Sequence, residues 1–235
     1  MSERPGEGPG GRVKWGPNLY RLPTMGDGSC YFHSLLQCLS PEYREGSAAD
    51  KRTACSTLRS EIAKSLTFTE FLAPGASGTP LHQDLPQDVQ QYEQERYELL
   101  QEELDPLVEE LNHLQLRHTD SEFTALLRRF LAFREYIKNP RQDVGDELHL
   151  LASRVLNLDI YVSTDEQSES PGYMLSDPRL CFQGRDSVIL FHSGNHWEPI
   201  VQLTGGEVTS LFPPQSVIIL QLRQYNEDCW RKLQR

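Results

Sequence analysis

A chain of 235 residues is long for one average domain and short for two large ones, so it fits one compact domain with an elaboration or a small second lobe. Hydrophobic residues make up 37% and charged residues 24%, with a mean hydropathy of -0.55; this excludes collagen-like and wholly disordered chains and places polar segments beside a modest core. The 23 Lys and Arg against 34 Asp and Glu leave a net charge of -11, which disfavours a general binder of nucleic-acid backbone and suits a basic partner.

No apolar run reaches the roughly 18 residues of a membrane span, and the opening residues Met1 to Gly6 lack the apolar stretch of a signal peptide. A cytoplasmic or nuclear protein without a membrane span is therefore expected. Cys30, Cys38, Cys55, Cys181 and Cys229 are odd in number, widely spaced and without a Cys-x-x-Cys pair. They read as free thiols rather than a disulfide framework or a metal knuckle.

In chain order, the glycine- and proline-rich residues 1–11 read as a disordered leader. The single domain is then expected over 12–235. Leu19 to Leu22 suggests a strand ended by Pro23, and Met25 to Ser29 a tight glycine-rich loop. Phe32, Leu35, Leu36 and Leu39 share one face of a helix from about Ser29 to Leu39, with Pro41 closing it. A second helix is predicted from Ala48 to Leu66, with Ala54, Leu58, Ile62 and either Cys55 or Leu66 as its stripe. Prolines and glycines break the pattern over 73–88, and a Glu/Gln/Leu-rich run follows from Val89 to Arg117. We expect a polar helical insert at approximately 75–135. Another helix is predicted from Ser121 to Lys138, one from Gly145 to Leu156, and a strand from Leu158 to Ser163. After a polar loop at 164–178, Ser187 to His192 and Trp197 to Leu203 read as a hairpin around Ser193-Gly194-Asn195, and Val217 to Leu222 as a further strand.

The stretch Asp27-Gly28-Ser29-Cys30 puts a thiol just after a glycine turn and in the first turn of an amphipathic helix. There the helix dipole and unpaired backbone N–H groups favour thiolate, and the N–H groups of Asp27 to Cys30 offer an oxyanion loop. A catalytic thiol needs an imidazole that takes its proton and returns it to the leaving amine. Among seven histidines, His196 is the best placed, after a Gly194-Asn195 turn and at the start of a strand. His192 is its competitor. His33 lies on the helix after Cys30, His82, His113 and His118 fall in polar sequence, and His149 is expected on a helix surface. For the group that orients the imidazole, spacing leaves Glu198 and Asp27 both open: Glu198 shares a strand face with His196, although such positions are about 7 Å apart.

Asp27-Gly28-Ser29-Cys30-Tyr31-Phe32-His33-Ser34 resembles the nucleophile segment of ovarian-tumour (OTU) domain cysteine proteases, and Gly194-Asn195-His196-Trp197-Glu198 resembles that family's histidine segment, in the same order. Gly145 to Leu148 and Leu158 to Val162 are similar to the helix and strand that precede the histidine hairpin. The resemblance spans about Leu19 to Leu203 and leaves much of 75–135 unmatched. It implies a papain-like α/β (α+β) fold, a small central sheet flanked by helices with a helical insert, and a deubiquitinase cleaving after the C-terminal Gly-Gly of ubiquitin or a ubiquitin-like protein, without metal or cofactor.

Under that resemblance Cys30 is the nucleophile, His196 the general base and acid, and Trp197 a wall of the channel for the two glycines. Where the family usually has Asp or Asn two residues after the histidine, this chain has Glu198. The partners implied are ubiquitin or a ubiquitin-like protein and its conjugates, with the insert either an arm that contacts the distal ubiquitin or a solvated helical pair that packs only on the core; the location implied is cytoplasmic or nuclear, or the host cytosol for a viral or bacterial effector. The competing functions are a catalytically silent ubiquitin-binding module and a papain-like protease or acyltransferase acting on another protein.

Overall fold

The computed structural model of the protein describes residues 18–73, 81–83, 85, 87–96, 98, 100, 102, 121–164, 173–174 and 184–233. The leader, residues 103–120 and most of the polar loop after 164 lie outside them, as do His113 and His118.

A short strand β1 (Leu19–Arg21) leads through the glycine loop into α1 (Cys30–Leu39), which buries Tyr31, Phe32, Leu35 and Cys38 at helical spacing. Ser40 ends α1 and starts α2 (Pro41–Glu45): its N–H donates to Leu36 O, and its side chain accepts from Tyr43 N–H. Two capping boxes fix the next helices, Ser47 with Asp50 at the start of α3 (Ala48–Ser65) and Thr67 with Glu70 at the start of α4 (Phe68–Leu72). Each box satisfies two backbone donors that a helix start leaves unpaired. Then come α5 (Gln87–Glu95), α6 (Ser121–Lys138) and α7 (His149–Leu156), the last closed by Asn157 at φ 53°. The remaining strands are β2 (Asp159–Thr164), β3 (Tyr173–Met174), β4 (Ser187–Ser193), β5 (His196–Thr204) and β6 (Glu207–Thr209), followed by α8 (Val217–Leu233).

The fold is mixed α and β, a small sheet flanked by helices. The strands run in the order β1-β5-β4-β2-β3, with β6 also on β5; β2 and β4 are parallel and the other pairs antiparallel. Strand alternation sends Val188 and Leu190 of β4, Ile160 and Val162 of β2 and Trp197 of β5 into one core with α1, α3, α6 and α7. Ile189, Phe191, Ile200 and Tyr161 point the other way, onto Phe212 and the Ile219 and Leu222 side of α8. Helix α6 belongs to the first core: Leu127, Phe130, Leu131, Phe133 and Tyr136 are buried there, and Tyr92 of α5 meets Tyr136 edge-on. Among the described residues no helix is long and apolar enough to cross a membrane.

Two expectations are corrected. Val217 to Leu222 is not a strand but the first part of a 17-residue helix. A short run of β-branched and apolar residues does not distinguish the two states, and the deciding feature is the buried spacing Ile219, Leu222, Asn226. His149 is not on the surface but buried, its Nδ1 2.8 Å from the Tyr31 hydroxyl.

Candidate active site

The loop between β1 and α1 is built around Gly28, at φ +79°. Its left-handed backbone and missing side chain bring the loop against a neighbouring turn: a Cβ there would stand 3.0 Å from Pro140 O and 3.1 Å from Arg141 C. The Ser29 N–H donates to Asp27 Oδ1 at 3.2 Å, and the Ser29 hydroxyl to Pro140 O at 3.3 Å. Of the expected oxyanion loop, the Ser29 N–H is thus engaged internally. The N–H groups at the tip of α1, from Cys30 onward, lie where a helix start leaves donors unpaired.

Cys30 opens α1 with 5% of its surface exposed, and its Sγ lies 3.6 Å from Asn195 O. Burial pushes the thiol up from its ordinary value of 9.0 and outweighs hydrogen bonding from the Trp197 backbone, while the charge of Asp143 pushes it up further. At rest the group is a thiol. Position at a helix tip does not by itself yield a thiolate here, because desolvation of the anion is the larger effect. An acceptor for its proton is required.

The histidine segment reaches the same place from the sheet. Gly194, at φ +63°, turns β4 into β5, pairing Ser193 with His196 and His192 with Trp197. Alternation along β5 turns Trp197 toward α1, while Glu198 lies beside Arg21 and opposite Phe191, toward the α8 side. The His196 Nε2 is 3.2 Å from Thr24 Oγ1. Since the Thr24 hydroxyl donates its own hydrogen to Trp197 O at 2.5 Å, it accepts from Nε2–H. Glu198 Oε1 approaches the same nitrogen at 3.8 Å. Both contacts fix the neutral ring with its proton on Nε2, leaving Nδ1 able to take one.

Among the described residues no hydrogen bond joins Cys30 to His196. What meets is the thiol and the main chain one residue before the imidazole. The open cleft beside Cys30 is lined by Asp143, Val144, Gly145, Glu147, His192, Asn195 and Trp197. His192 therefore shares the thiol's cleft, its ring stacked on Trp197 with centroids 4.0 Å apart and planes 7° off parallel. Trp197 presses on Gly145, where a Cβ would come within 3.1 Å of the indole.

The two carboxylates separate. Asp27 holds His33, whose Nε2 is 3.0 Å from Oδ1, and forms a longer ion pair with Arg52. Glu198 is the one beside His196. His33 itself is buried and also meets the Tyr43 hydroxyl and Cys55 Sγ through Nδ1. Burial lowers its basicity more than Asp27 raises it, so the neutral ring donates from Nε2 to a carboxylate that can only accept. Among the described residues no group of three or more His, Cys, Asp or Glu could hold a metal ion.

The chain resembles OTU domains. It is similar to an OTU domain solved in complex with ubiquitin, at 13% identity over 88% of this chain and 84% of that one, with a TM-score of 0.43. The viral OTU domain protease of Taggert virus has 13% identity, coverage of 82% and 84% and a TM-score of 0.39; that of Farallon virus has 14%, 81% and 96%, and 0.39. No family model and no curated protein matches the chain.

Sequence reasoning missed Thr24, which fixes the His196 tautomer, and Arg59, a fully buried arginine behind the loop that leads into Cys30. Thr24 carries no local signal, being an ordinary loop residue. Arg59 does: one residue after Leu58 and three before Ile62, it sits on the buried side of α3, where a charge demands partners.

Proposed function

We propose that the chain is a thiol-dependent hydrolase of the isopeptide bond after the C-terminal Gly-Gly of ubiquitin or a ubiquitin-like protein, with Cys30 as nucleophile and His196 as base and acid. The observation that carries this reading is the 3.6 Å approach of Cys30 Sγ to Asn195 O, which brings the helix-tip thiol against the turn that bears His196. The two motif segments, 165 residues apart in the chain at this contact, meet in space.

In this mechanism His196 Nδ1 removes the Cys30 proton as the sulfur attacks the carbonyl carbon. The N–H groups at the tip of α1 receive the oxyanion. Collapse breaks the C–N bond, the imidazolium gives its proton to the departing lysine amine, and a thioester remains. His196 then deprotonates water, whose attack releases the ubiquitin carboxylate and returns the thiol. Glu198 and Thr24 hold the ring at Nε2, and the carboxylate favours the transient imidazolium. The net charge of -11 suits the basic tail of ubiquitin.

A second assignment of the base rests on a specific observation: His192, not His196, lines the cleft with Cys30. It leaves the reaction unchanged and moves only the proton acceptor. The deciding experiment for the function is labelling with ubiquitin carrying a C-terminal electrophile. A covalent adduct at Cys30, absent in Cys30→Ala, supports the hydrolase. Ubiquitin bound without an adduct identifies a silent binding module instead, and cleavage of short peptides with no action on ubiquitin-like conjugates identifies a protease of other substrates.

A further inference from the structure

Arg59 has no exposed surface, and its guanidinium makes five hydrogen bonds. Nε donates to Ile137 O at 2.6 Å, Nη2 to Asn139 O and Gln142 O at 2.5 and 2.7 Å, and Nη1 to Gly28 O and Ser29 Oγ at 3.2 and 3.0 Å. A guanidinium has five N–H donors, so the fork is fully used. Its carbon also lies 4.7 Å from the centre of the Phe32 ring. None of the five acceptors is a carboxylate. Burial pushes the group down to about 10, which leaves it charged at neutral pH.

The acceptors divide between two segments, each leading into residues that line the cleft. Gly28 and Ser29 are the residues immediately before Cys30. Ile137, in the last turn of α6, and Asn139 and Gln142, in the turn after it, lead into Asp143, Val144 and Gly145, which line the cleft. The turns touch where Gly28 has no room for a Cβ against Pro140 and Arg141, and where the Ser29 hydroxyl donates to Pro140 O. The Gly28–Ser29 peptide is held at both ends, its carbonyl by Arg59 and its N–H by Asp27. That plane is the anchor from which the Ser29 dihedrals, φ -116° and ψ 16°, set the direction of the next amide, Cys30 N–H.

We propose that Arg59 is a positioning residue for hydrolysis, locking the Gly28–Ser29 peptide to residues 137–142 so that the N–H groups at the tip of α1 face the oxyanion. This rests on Cys30 being the nucleophile. A lysine keeps the charge but has three donors on a point-like head and cannot span both segments; methionine keeps the bulk and has none.

The test is Arg59→Lys, checked for folding by circular dichroism, with active sites counted by a C-terminally electrophilic ubiquitin and turnover followed on a ubiquitin C-terminal amide. We expect kcat per counted site to fall by about tenfold or more, with KM changed by less than about threefold, since removing an oxyanion donor outright costs about 10²–10³. Alkylation of Cys30 by iodoacetamide, which forms no oxyanion, should keep its rate within about twofold. Unchanged kcat per site overturns the proposal; so does an equal fall in turnover and alkylation, which marks general collapse of the site. Should Arg59→Lys not fold, Ser29→Ala removes one of the five acceptors and the hydroxyl tie to Pro140, and the same criteria apply with a smaller fall in kcat. A wild-type protein that neither labels nor hydrolyses rejects the nucleophile assignment itself, a result distinct from an active wild type with an equally active Arg59→Lys.

Discussion

Asp27 accepts from His33 Nε2 at 3.0 Å through the same oxygen that accepts the Ser29 N–H. The carboxylate is thereby committed to the loop before Cys30 and to a histidine on α1, and Glu198 is the carboxylate beside His196. The substitutions Asp27→Ala and Glu198→Ala should consequently fail in different ways. Asp27→Ala strands the donors of buried His33 and Ser29 and is expected to cost about 1–3 kcal/mol of stability, read as a lower Tm. Glu198→Ala is expected to lower kcat with a smaller change in Tm. The opposite pattern would return the orienting role to Asp27.

His196→Ala and His192→Ala decide the base. His196 has its proton fixed on Nε2 by Thr24, so His196→Ala is expected to reduce kcat by about 10²–10⁴, the range for loss of a general base. His192→Ala should have a smaller effect that falls on KM, through the ring stacked on Trp197. A larger loss of kcat in His192→Ala would move the base to that position.

Burial raises the Cys30 thiol above 9.0, and no hydrogen bond from an imidazole offsets it among the described residues. In the protein without substrate, the rate of Cys30 alkylation by iodoacetamide, located by mass spectrometry, should climb through pH 9 and level off only above it. A plateau already reached below pH 7 would show a resting thiolate–imidazolium pair and contradict this picture.

Cys38 and Cys55 are each pushed up to about 12, chiefly by burial. Their folded values exceed the ordinary thiol value of 9.0, so the native state holds these protons more tightly than the unfolded chain. The resulting stability is complete below pH 9 and is lost as pH rises from about 9 toward 12. Tm measured across pH 8 to 11 should therefore fall on the alkaline side, and less steeply in Cys38→Ala at its own lower starting value. A flat profile would rule out this linkage.

Gly28→Ala combines a left-handed backbone, at φ +79°, with a contact of 3.0 Å to a carbonyl oxygen. The backbone alone costs about 1–2 kcal/mol for an L side chain. Both a lower Tm and a lower kcat are expected, because the displaced loop carries Cys30. A variant with unchanged turnover would show that the loop's contact with the 139–142 turn is dispensable.

Periodicity within the sequence was sufficient for α1, α3 and the β4–β5 hairpin, because apolar spacing and turn residues are local signals. It failed at Val217–Leu222, where six residues are too few to tell a strand from the first turns of a helix, and at His149, whose burial depends on Tyr31 and Trp197 coming from elsewhere in the chain. The thiol and imidazole segments were legible as motifs. Their meeting was not, since it requires the loop after β1 to pass the start of β5 before entering α1. Tertiary structure alone separated Asp27 from Glu198, placed His192 in the cleft and gave buried Arg59 its five acceptors. The first and the last depend on which long-range contacts satisfy a charge held partly or wholly out of water, and a linear order of residues determines only that such a charge must be satisfied, not by whom.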